Sequence, residues 1–213
     1  MVNGRYDPDT KTVDFTTTHF SRYIVGYNEV NFSDVAAKAW YSEAVGFMAA
    51  RSVINGVGGG RFAPENNVTR ADFLVMAMKS YGIEPDADIA DNFSDAGDKY
   101  YTGYLGTAKR LGLAAGIGGG KYAPEAAISR QDMFVILHRM LEKLGELPAG
   151  TSGKSLGSFT DAGAIAGYAN DAMRLFAETG IISGDGRSLN PKALSTRAQA
   201  AQVLYNLYKL SWK

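Results

Sequence analysis

The sequence predicts a mainly α protein built from three repeats, with a short β segment at its N-terminus. Three observations support this prediction. One set of residue types recurs three times in the same order along the 213 residues. Within each copy the apolar residues recur at intervals of three and four, which is the period of an α-helix. Each copy also contains a glycine-rich segment that would interrupt a helix, so each copy is predicted as helix, glycine loop, helix.

The repeat is defined by four anchors that keep their order in every copy. They are an aspartate in a Phe-Ser-Asp or Phe-Thr-Asp triplet, a glycine that opens the loop, a proline, and a Ser/Thr-Arg pair. In chain order the anchors are Asp34, Asp95 and Asp161; Gly56, Gly116 and Gly184; Pro64, Pro124 and Pro191; and Thr69-Arg70, Ser129-Arg130 and Thr196-Arg197. A period of roughly 60 residues makes each unit larger than one helical hairpin of a solenoid.

The first 30 residues do not follow the repeat pattern. Residues 13–18 and 23–27 are predicted as strands from their β-branched and aromatic content, and residues 7–9 resemble a turn. Two or three strands cannot bury a core by themselves. Residues 1–30 are therefore predicted to be the C-terminal remnant of an upstream β domain.

The repeats are predicted to span residues 31–85, 92–147 and 158–213. In the first repeat, Trp40, Phe47 and Val53 belong to the apolar face of the first helix. The second helix is predicted to begin after Thr69, which forms a Ser/Thr-x-x-acid capping motif with Asp72. Equivalent motifs with an acid or amide occur in the other two repeats, at 129–132 and 196–199.

Composition excludes several classes of function. The 22 basic and 22 acidic side chains cancel, so bulk charge does not favour binding to nucleic acid or to an anionic membrane. There is no cysteine for a disulfide or a thiolate metal site, and no apolar run approaches the roughly 18 residues of a membrane span. The glycine segments 56–61 and 116–122 lack the full dinucleotide and P-loop patterns, and the two histidines, His19 and His138, are far apart in sequence. The chain is therefore predicted to have no enzyme activity, no metal, no cofactor, and no nucleic-acid or membrane partner.

An arginine follows the predicted N-cap of the second helix in every repeat, at Arg70, Arg130 and Arg197. A cation there opposes the helix dipole by about 0.3–1 kcal/mol, so its recurrence indicates another role. One hypothesis is that unpaired helix N–H groups and the guanidinium together bind a carboxylate or phosphate. The other is that each arginine pairs with an acid, such as the Asp anchor of a repeat, and only holds the repeats together. The residues by themselves leave both open.

An aromatic residue follows each Asp anchor by six or seven positions, as Trp40, Tyr101 and Tyr168. An aromatic face beside an arginine and an acid suits a sugar ring that carries an acidic substituent. Aromatic residues at helical spacing are also common in protein cores, so the spacing alone does not decide between the two.

Taken together, these anchors resemble the S-layer homology module, and three tandem copies between Phe32 and about Tyr208 match the usual number in that family. The resemblance implies a pseudo-threefold arrangement, in which one helix per repeat meets in a central bundle and the rest forms three helix-loop prongs. It also implies that a single chain acts as a monomeric pseudo-trimer.

The resemblance further implies a non-catalytic function outside the cell. The module would anchor a surface protein non-covalently to the wall or S-layer of a Gram-positive-type bacterium. Its partner would be an acidic secondary cell-wall polysaccharide, typically with a pyruvylated amino sugar, bound in grooves between adjacent repeats. Two alternatives are a protein–protein module for S-layer assembly and the anchor of an exported enzyme whose catalytic domain lies upstream.

Position by position, the resemblance implies a ligand-binding set that combines the Asp, aromatic, glycine and arginine anchors of each repeat. These residues are Asp34, Trp40, Gly56, Arg70, Asp95, Tyr101, Gly116, Arg130, Asp161, Tyr168, Gly184 and Arg197. The copies differ, because Ala115 removes a polar side chain that is present as Asn55, and the third loop is one residue shorter. We therefore expect unequal grooves, with Arg70 in the most complete one, grouped with Trp40 and Asn55.

Overall fold

The computed structural model describes residues 4–7, 9–15, 22, 28–87, 91–152 and 154–210. Two strands, β1 (Gly4–Asp7) and β2 (Thr12–Phe15), precede the helices. The α-helices of the described residues are α1 (Ser42–Ala50), α2 (Arg70–Ser80), α3 (Thr102–Leu111), α4 (Arg130–Leu144), α5 (Asn170–Glu178) and α6 (Arg197–Leu210). Short 3-10 helices lie at Leu156–Ser158, Ala162–Ala164 and Gly167–Ala169. The prediction of a mainly α fold is confirmed.

The N-terminal segment is a two-stranded antiparallel ribbon in which Gly4 lies opposite Phe15 and Asp7 opposite Thr12. β2 overlaps the predicted strand at 13–18, whereas β1 was not predicted. The predicted strand at 23–27 and His19 lie outside the described residues. Among the described strands and helices, β1 and β2 pair only with each other, and the assignment of residues 1–30 to an upstream domain stays a prediction.

The second helix of each repeat begins at the predicted capping motif. The Thr69 hydroxyl accepts a hydrogen bond from the Asp72 amide at 3.0 Å, and Ser129 does the same for Asp132. In the third repeat the motif is reciprocal, because the Thr196 amide also donates to the side-chain oxygen of Gln199 at 3.1 Å. These caps place the arginine of each repeat at the first helical position, as predicted.

The repeats are joined by backbone hydrogen bonds in a closed cycle. Val68 donates to the Ser195 carbonyl at 2.9 Å, Ser195 to the Ile128 carbonyl at 3.0 Å, and Ile128 back to the Val68 carbonyl at 3.1 Å. All three residues are fully buried. The pseudo-threefold arrangement remains an expectation of the family resemblance, and this cycle supports it.

Helix packing follows the same cyclic order. The first helix of each repeat packs against the second helix of the preceding repeat, so α3 packs on α2, α5 on α4 and α1 on α6, while α2 also packs against α4 and α6. Buried side chains from all three repeats, such as Met48, Leu105 and Phe176, belong to one core cluster. Among the described helices, none is long and apolar enough to cross a membrane.

Candidate ligand-binding grooves between the repeats

The Asp anchors hold the end of the glycine loop in each repeat. The two carboxylate oxygens of Asp34 accept hydrogen bonds from the Phe62 and Ala63 amides at 2.7 and 2.8 Å, and Ala63 has a positive φ of 56°. Asp95 and Asp161 bind the equivalent amide pairs at 122–123 and 189–190. These carboxylates therefore hold a backbone turn with a positive φ, which residues other than glycine rarely adopt. The arginines of the capping motifs are not hydrogen-bond partners of the Asp anchors.

The loop-opening glycines are required by close packing within the loop. A Cβ atom at Gly56 would lie 2.6 Å from the Arg61 carbonyl oxygen and 2.8 Å from the ring of Phe32. At Gly116 and Gly184 the added atom would meet the carbonyls of Lys121 and Ser188. The structure thus gives these glycines a role in loop closure. Their part in ligand binding remains a proposal.

The amide groups at the helix N-termini are not free to bind a ligand. The Arg70 amide donates to the Ala126 carbonyl at 2.8 Å, and the Ala71 amide to the Pro124 carbonyl at 3.0 Å. The next amide, that of Asp72, donates to Thr69. The first two amides of α4 and α6 bind the following repeat in the same way. The interpretation that unpaired helix N–H groups form an anion site is wrong, because the neighbouring loop already accepts these bonds.

Two of the three arginine side chains clamp the loop of the following repeat. The Arg70 Nε donates to the Tyr122 carbonyl at 2.9 Å, and its Nη1 lies 3.4 Å from Asp132. The Arg197 Nε donates to the Phe62 carbonyl at 2.9 Å, and its Nη2 to the Asn55 carbonyl at 2.6 Å. These contacts favour the hypothesis that the arginines hold repeats together, although the acid paired with Arg70 is Asp132 and not an Asp anchor.

Arg130 differs from its two counterparts. Its Nε is buried and has no hydrogen-bond partner among the described residues, and its guanidinium lies 5.5 Å from the centre of the Phe134 ring. Burial lowers the pKa of the Arg130 guanidinium, because an apolar environment disfavours the charged form.

Within the described parts of the three repeats, the exposed aromatic side chains are Trp40, Tyr100 and Tyr168, with 61%, 65% and 62% of their surface exposed. Tyr101, which the family resemblance assigned to the ligand-binding set, is only 4% exposed and donates its hydroxyl to Glu125 at 2.6 Å. The assignment of Tyr101 to a ligand-facing position is wrong because its side chain is buried. Tyr101 directly precedes α3, just as the buried Tyr41 directly precedes α1. The tandem aromatics Trp40-Tyr41 and Tyr100-Tyr101 were the signal that could have identified Tyr100.

Two of the exposed tyrosines bind an acid of the preceding repeat. The Tyr100 hydroxyl donates to Asp72, and the Tyr168 hydroxyl donates to Asp132 at 2.6 Å. Burial and the hydrogen bond to Asp132 raise the pKa of Tyr168 to about 12. Both tyrosines therefore remain neutral hydrogen-bond donors at any physiological pH.

These contacts build a groove of about 360 Å³ from all three repeats, which we call groove 1. Residues 53–57 and the α2 residues Asp72 and Lys79 come from the first repeat, Tyr100 from the second and Arg197 from the third. Groove 1 therefore combines two cations, one acid, an exposed aromatic ring and backbone polar groups. Tyr100, Asp72 and Lys79 line this groove although no sequence motif assigned them to it.

Equivalent contacts define a second groove, and repeat equivalence predicts the composition of a third. Groove 2 contains Arg70, Asp132 and Tyr168, which are joined by the hydrogen bonds described above. Groove 3 is assigned by repeat equivalence to Arg130, Gln199 and Trp40, because α1 packs on α6 as α3 packs on α2.

This grouping corrects the expected composition of the most complete groove. Arg70 was grouped with Trp40 and Asn55 because they share a repeat. In the structure it is Arg197 that binds the Asn55 carbonyl, since the Arg70 and Arg197 side chains each reach the loop of the next repeat.

Among the described residues, no group of three or more His, Asp or Glu side chains could hold a metal ion. The polar groups that line groove 1 are a guanidinium, an ammonium, a carboxylate, a phenol and amides. Such a set is suited to recognising a polar ligand through hydrogen bonds and charge.

Comparison with known proteins agrees with the threefold repetition. The model of the S-layer homology domain family matches residues 31–74, 92–134 and 158–201. Each match runs from just before the Phe-Ser-Asp or Phe-Thr-Asp triplet into the second helix of its repeat.

Similar proteins include both enzymes and surface-layer proteins. The chain is 30% identical to exoglucanase XynX of Acetivibrio thermocellus, over 85% of this chain and 16% of the relative. It is 26% identical to the S-layer protein sap of Bacillus anthracis, over 81% of this chain and 20% of the relative. For an endoglucanase of Bacillus sp. (strain KSM-635) the values are 30%, 87% and 19%. The chain thus spans a fifth or less of the length of these relatives, and what they share with it is the repeated module: this chain belongs to the S-layer homology domain family.

Proposed function

We propose that this chain anchors the protein that carries it at the surface of a Gram-positive-type bacterium, by binding an acidic secondary cell-wall polysaccharide in the grooves between its repeats. The observation that carries this proposal is groove 1, where Arg197 and Lys79 lie with the exposed ring of Tyr100 in one cleft. Family membership and the likeness to an S-layer protein support the cell-surface location.

The chemistry of groove 1 fits a sugar with an acidic substituent, such as a pyruvylated amino sugar. The Arg197 guanidinium has five N–H donors, and the two carbonyls that it binds leave donors for a ligand carboxylate. Lys79 adds a second cation. The exposed Tyr100 ring offers a flat surface for the apolar face of a sugar ring.

In this proposal the module itself is not an enzyme, and one chain supplies all three grooves as a monomer. The exoglucanase and endoglucanase names describe relatives of which the chain spans only 16% and 19%. An exported enzyme that carries this module would be held at the wall by it and would perform its chemistry elsewhere in the chain.

The test is binding to purified cell-wall sacculi, before and after the secondary polysaccharide is extracted. We expect extraction to abolish binding. The Tyr100→Ala variant should bind more weakly, because it loses the exposed ring, whereas Glu29→Ala changes an exposed side chain outside the grooves and serves as the control.

Undiminished binding to extracted sacculi would contradict the polysaccharide proposal. Binding only to S-layer protein subunits would instead support the alternative of a protein–protein assembly module.

A further inference from the structure

An asparagine is followed directly by a glycine in the wall of groove 1, at Asn55 and Gly56. In such a pair the backbone nitrogen of the glycine can attack the side-chain amide carbon of the asparagine, because glycine has no Cβ to shield that nitrogen. The loop itself requires glycine here, since a Cβ atom would lie 2.6 Å from the Arg61 carbonyl oxygen. Packing therefore places the least shielded successor immediately after an asparagine.

Neither reacting group is held by a hydrogen bond within the described part of the chain. The Asn55 side chain is exposed and has no hydrogen-bond partner there, and the Gly56 amide donates to no acceptor, whereas the amide of Val57 donates to the Arg61 carbonyl at 2.8 Å. Residues 55–57 belong to no helix or strand. No ladder of hydrogen bonds therefore resists the rotation that brings the two groups together.

The reactive pair is confined to the first of the three loops. The equivalent positions in the other repeats are Ala115 before Gly116 and Ser183 before Gly184, and neither side chain carries an amide. The dipeptide also occurs at residues 3–4, of which Asn3 lies outside the described residues. Within the repeats, the reaction would thus change groove 1 and leave the other two loops as they are.

We propose that Asn55 is a site of spontaneous deamidation, which adds a carboxylate to groove 1. The Gly56 nitrogen forms a bond to Cγ of Asn55, the bond from Cγ to Nδ2 breaks, and Nδ2 leaves as ammonia with the proton of the Gly56 amide. Water then opens the cyclic imide. Attack at Cγ gives aspartate, and attack at the former main-chain carbonyl gives isoaspartate, in which the backbone continues through Cγ. The reaction consumes water and releases ammonia, and nothing is oxidised or reduced.

The new carboxylate forms beside a guanidinium. The Arg197 Nη2 donates to the Asn55 carbonyl oxygen at 2.6 Å, and in the isoaspartate product that oxygen belongs to a free carboxylate. The hydrogen bond then becomes charge-assisted. The charged side chains that line groove 1 are those of Arg197, Lys79 and Asp72, so the product reduces their net charge from one positive to zero.

The modification itself follows from the geometry of the loop, whereas its effect on binding rests on the proposed function. A module with a carboxylate on Arg197 has fewer donors and less positive charge for an acidic polysaccharide. We therefore expect the anchor to weaken as the protein ages.

The chemical test is incubation of the folded 213-residue chain in mildly alkaline buffer, followed by trypsin digestion and mass spectrometry beside an unincubated sample. Trypsin releases residues 52–61 as one peptide, separate from residues 1–5. We expect residues 52–61 to gain the mass of deamidation and to contain isoaspartate, at a rate similar to that of a synthetic peptide of the same sequence. Retention of Asn55 in the folded chain, while the synthetic peptide converts, overturns the proposal.

The same digest contains an internal control. The peptide of residues 62–70 includes Asn66 and Asn67, which are followed by an asparagine and by the β-branched Val68. Both successors shield their nitrogen, so this peptide should remain unmodified. Equal conversion of the two peptides would overturn a site-specific reaction at Asn55.

The effect on groove 1 is measured by binding to purified cell-wall sacculi. Aged wild-type chain and fresh Asn55→Asp should both bind about tenfold more weakly than fresh wild-type chain, the worth of one charge-assisted contact. Asn55→Gln is compared with its own fresh sample and should lose no binding on ageing, because its longer side chain closes a ring far more slowly.

The outcomes separate the two proposals. Conversion of Asn55 with full binding by both the aged chain and Asn55→Asp overturns the effect on groove 1 alone. A fresh wild-type chain that does not bind sacculi overturns the proposed function, while the mass of residues 52–61 still decides whether Asn55 is a modification site.

Discussion

Ser195 shows how one residue can depart from the pattern of its repeat at a cost. It is completely buried in the hydrogen-bonded cycle, at the position held by Val68 and Ile128 in the other repeats. Its backbone hydrogen bonds match those of Val68 and Ile128, but its hydroxyl has no partner among the described residues. A buried hydroxyl without a partner destabilises a protein by about 1–3 kcal/mol.

We therefore expect Ser195→Val to stabilise the protein by about 1 kcal/mol, because it removes the unsatisfied hydroxyl and adds apolar contacts. For a chain of this size, that corresponds to a rise of about 2–4 °C in melting temperature. The reverse change, Val68→Ser, should lower it. A lower melting temperature for Ser195→Val would show that the cycle has no room for the second methyl group.

A second prediction at the residue scale concerns the pH dependence of stability and depends on the Asp anchors. The hydrogen bond from the Phe62 amide holds the pKa of Asp34 below its ordinary value of 3.8. A carboxylate with a lowered pKa in the folded state contributes stability that is present above its unfolded pKa and lost as the pH falls through the folded value.

We expect the melting temperature of the wild-type protein to fall below about pH 4. The fall should be smaller for Asp34→Asn, because this variant has no carboxylate to protonate at position 34. The asparagine variant should also be less stable at neutral pH, because its NH₂ group cannot accept the second amide bond. Melting curves of both proteins as a function of pH test this, and parallel curves would exclude a titrating role for Asp34.

At the scale of single elements, glycine has opposite effects on stability in the loops and in the helices. Gly56 lies where the loop chain approaches itself, and a Cβ would meet both the Arg61 carbonyl and Phe32. Gly46 lies inside α1, where a Cβ would have only the Val30 carbonyl within 4 Å, at 3.9 Å. The first glycine is required by packing, whereas the second weakens a helix.

Gly46→Ala should accordingly stabilise the protein by about 0.5–1 kcal/mol, the difference in helix propensity between the two residues. Gly56→Ala should destabilise it by more than that, because backbone atoms must move to admit the methyl group. Denaturant unfolding of the two variants measures both effects. If Gly56→Ala were neutral, the loop would be able to open without loss of its Asp34 contacts.

For the whole molecule, the contacts between repeats imply one cooperative folding unit. Every repeat donates backbone hydrogen bonds to another repeat, and the third closes the cycle with the first through Arg197 and Asn66. The core is also shared, because buried residues of all three repeats form one cluster. Unlike an open solenoid, whose repeats contact only their neighbours in sequence, this chain brings its last repeat back to its first.

Denaturant unfolding should then show a single transition by fluorescence and by circular dichroism. Removal of residues 158–213 should leave a poorly folded remnant, because it exposes the apolar faces of α1 and α4 that pack on α6 and α5. Removal of residues 1–27 is the control and should preserve the transition, since the described strands pair only with each other. A stable two-repeat fragment would contradict the cooperative unit.

The sequence by itself determined the mainly α fold, the three repeats, the caps at Thr69, Ser129 and Thr196, and the family. These features depend on local physics: helical periodicity, capping and glycine conformation act over a few residues, so they can be read along the chain. The position of each arginine at the start of its helix was predictable for the same reason.

Only the tertiary structure decided which residues share a groove. Grooves 1 and 2 are each assembled from three repeats, so residues separated by more than 100 positions, such as Asn55 and Arg197, come into contact. It also decided that the helix N-terminal amides bind the next repeat, and that Tyr100 is exposed while Tyr101 is buried. These outcomes follow from the way the repeats close into a cycle, and that packing between distant segments leaves no local pattern in the sequence.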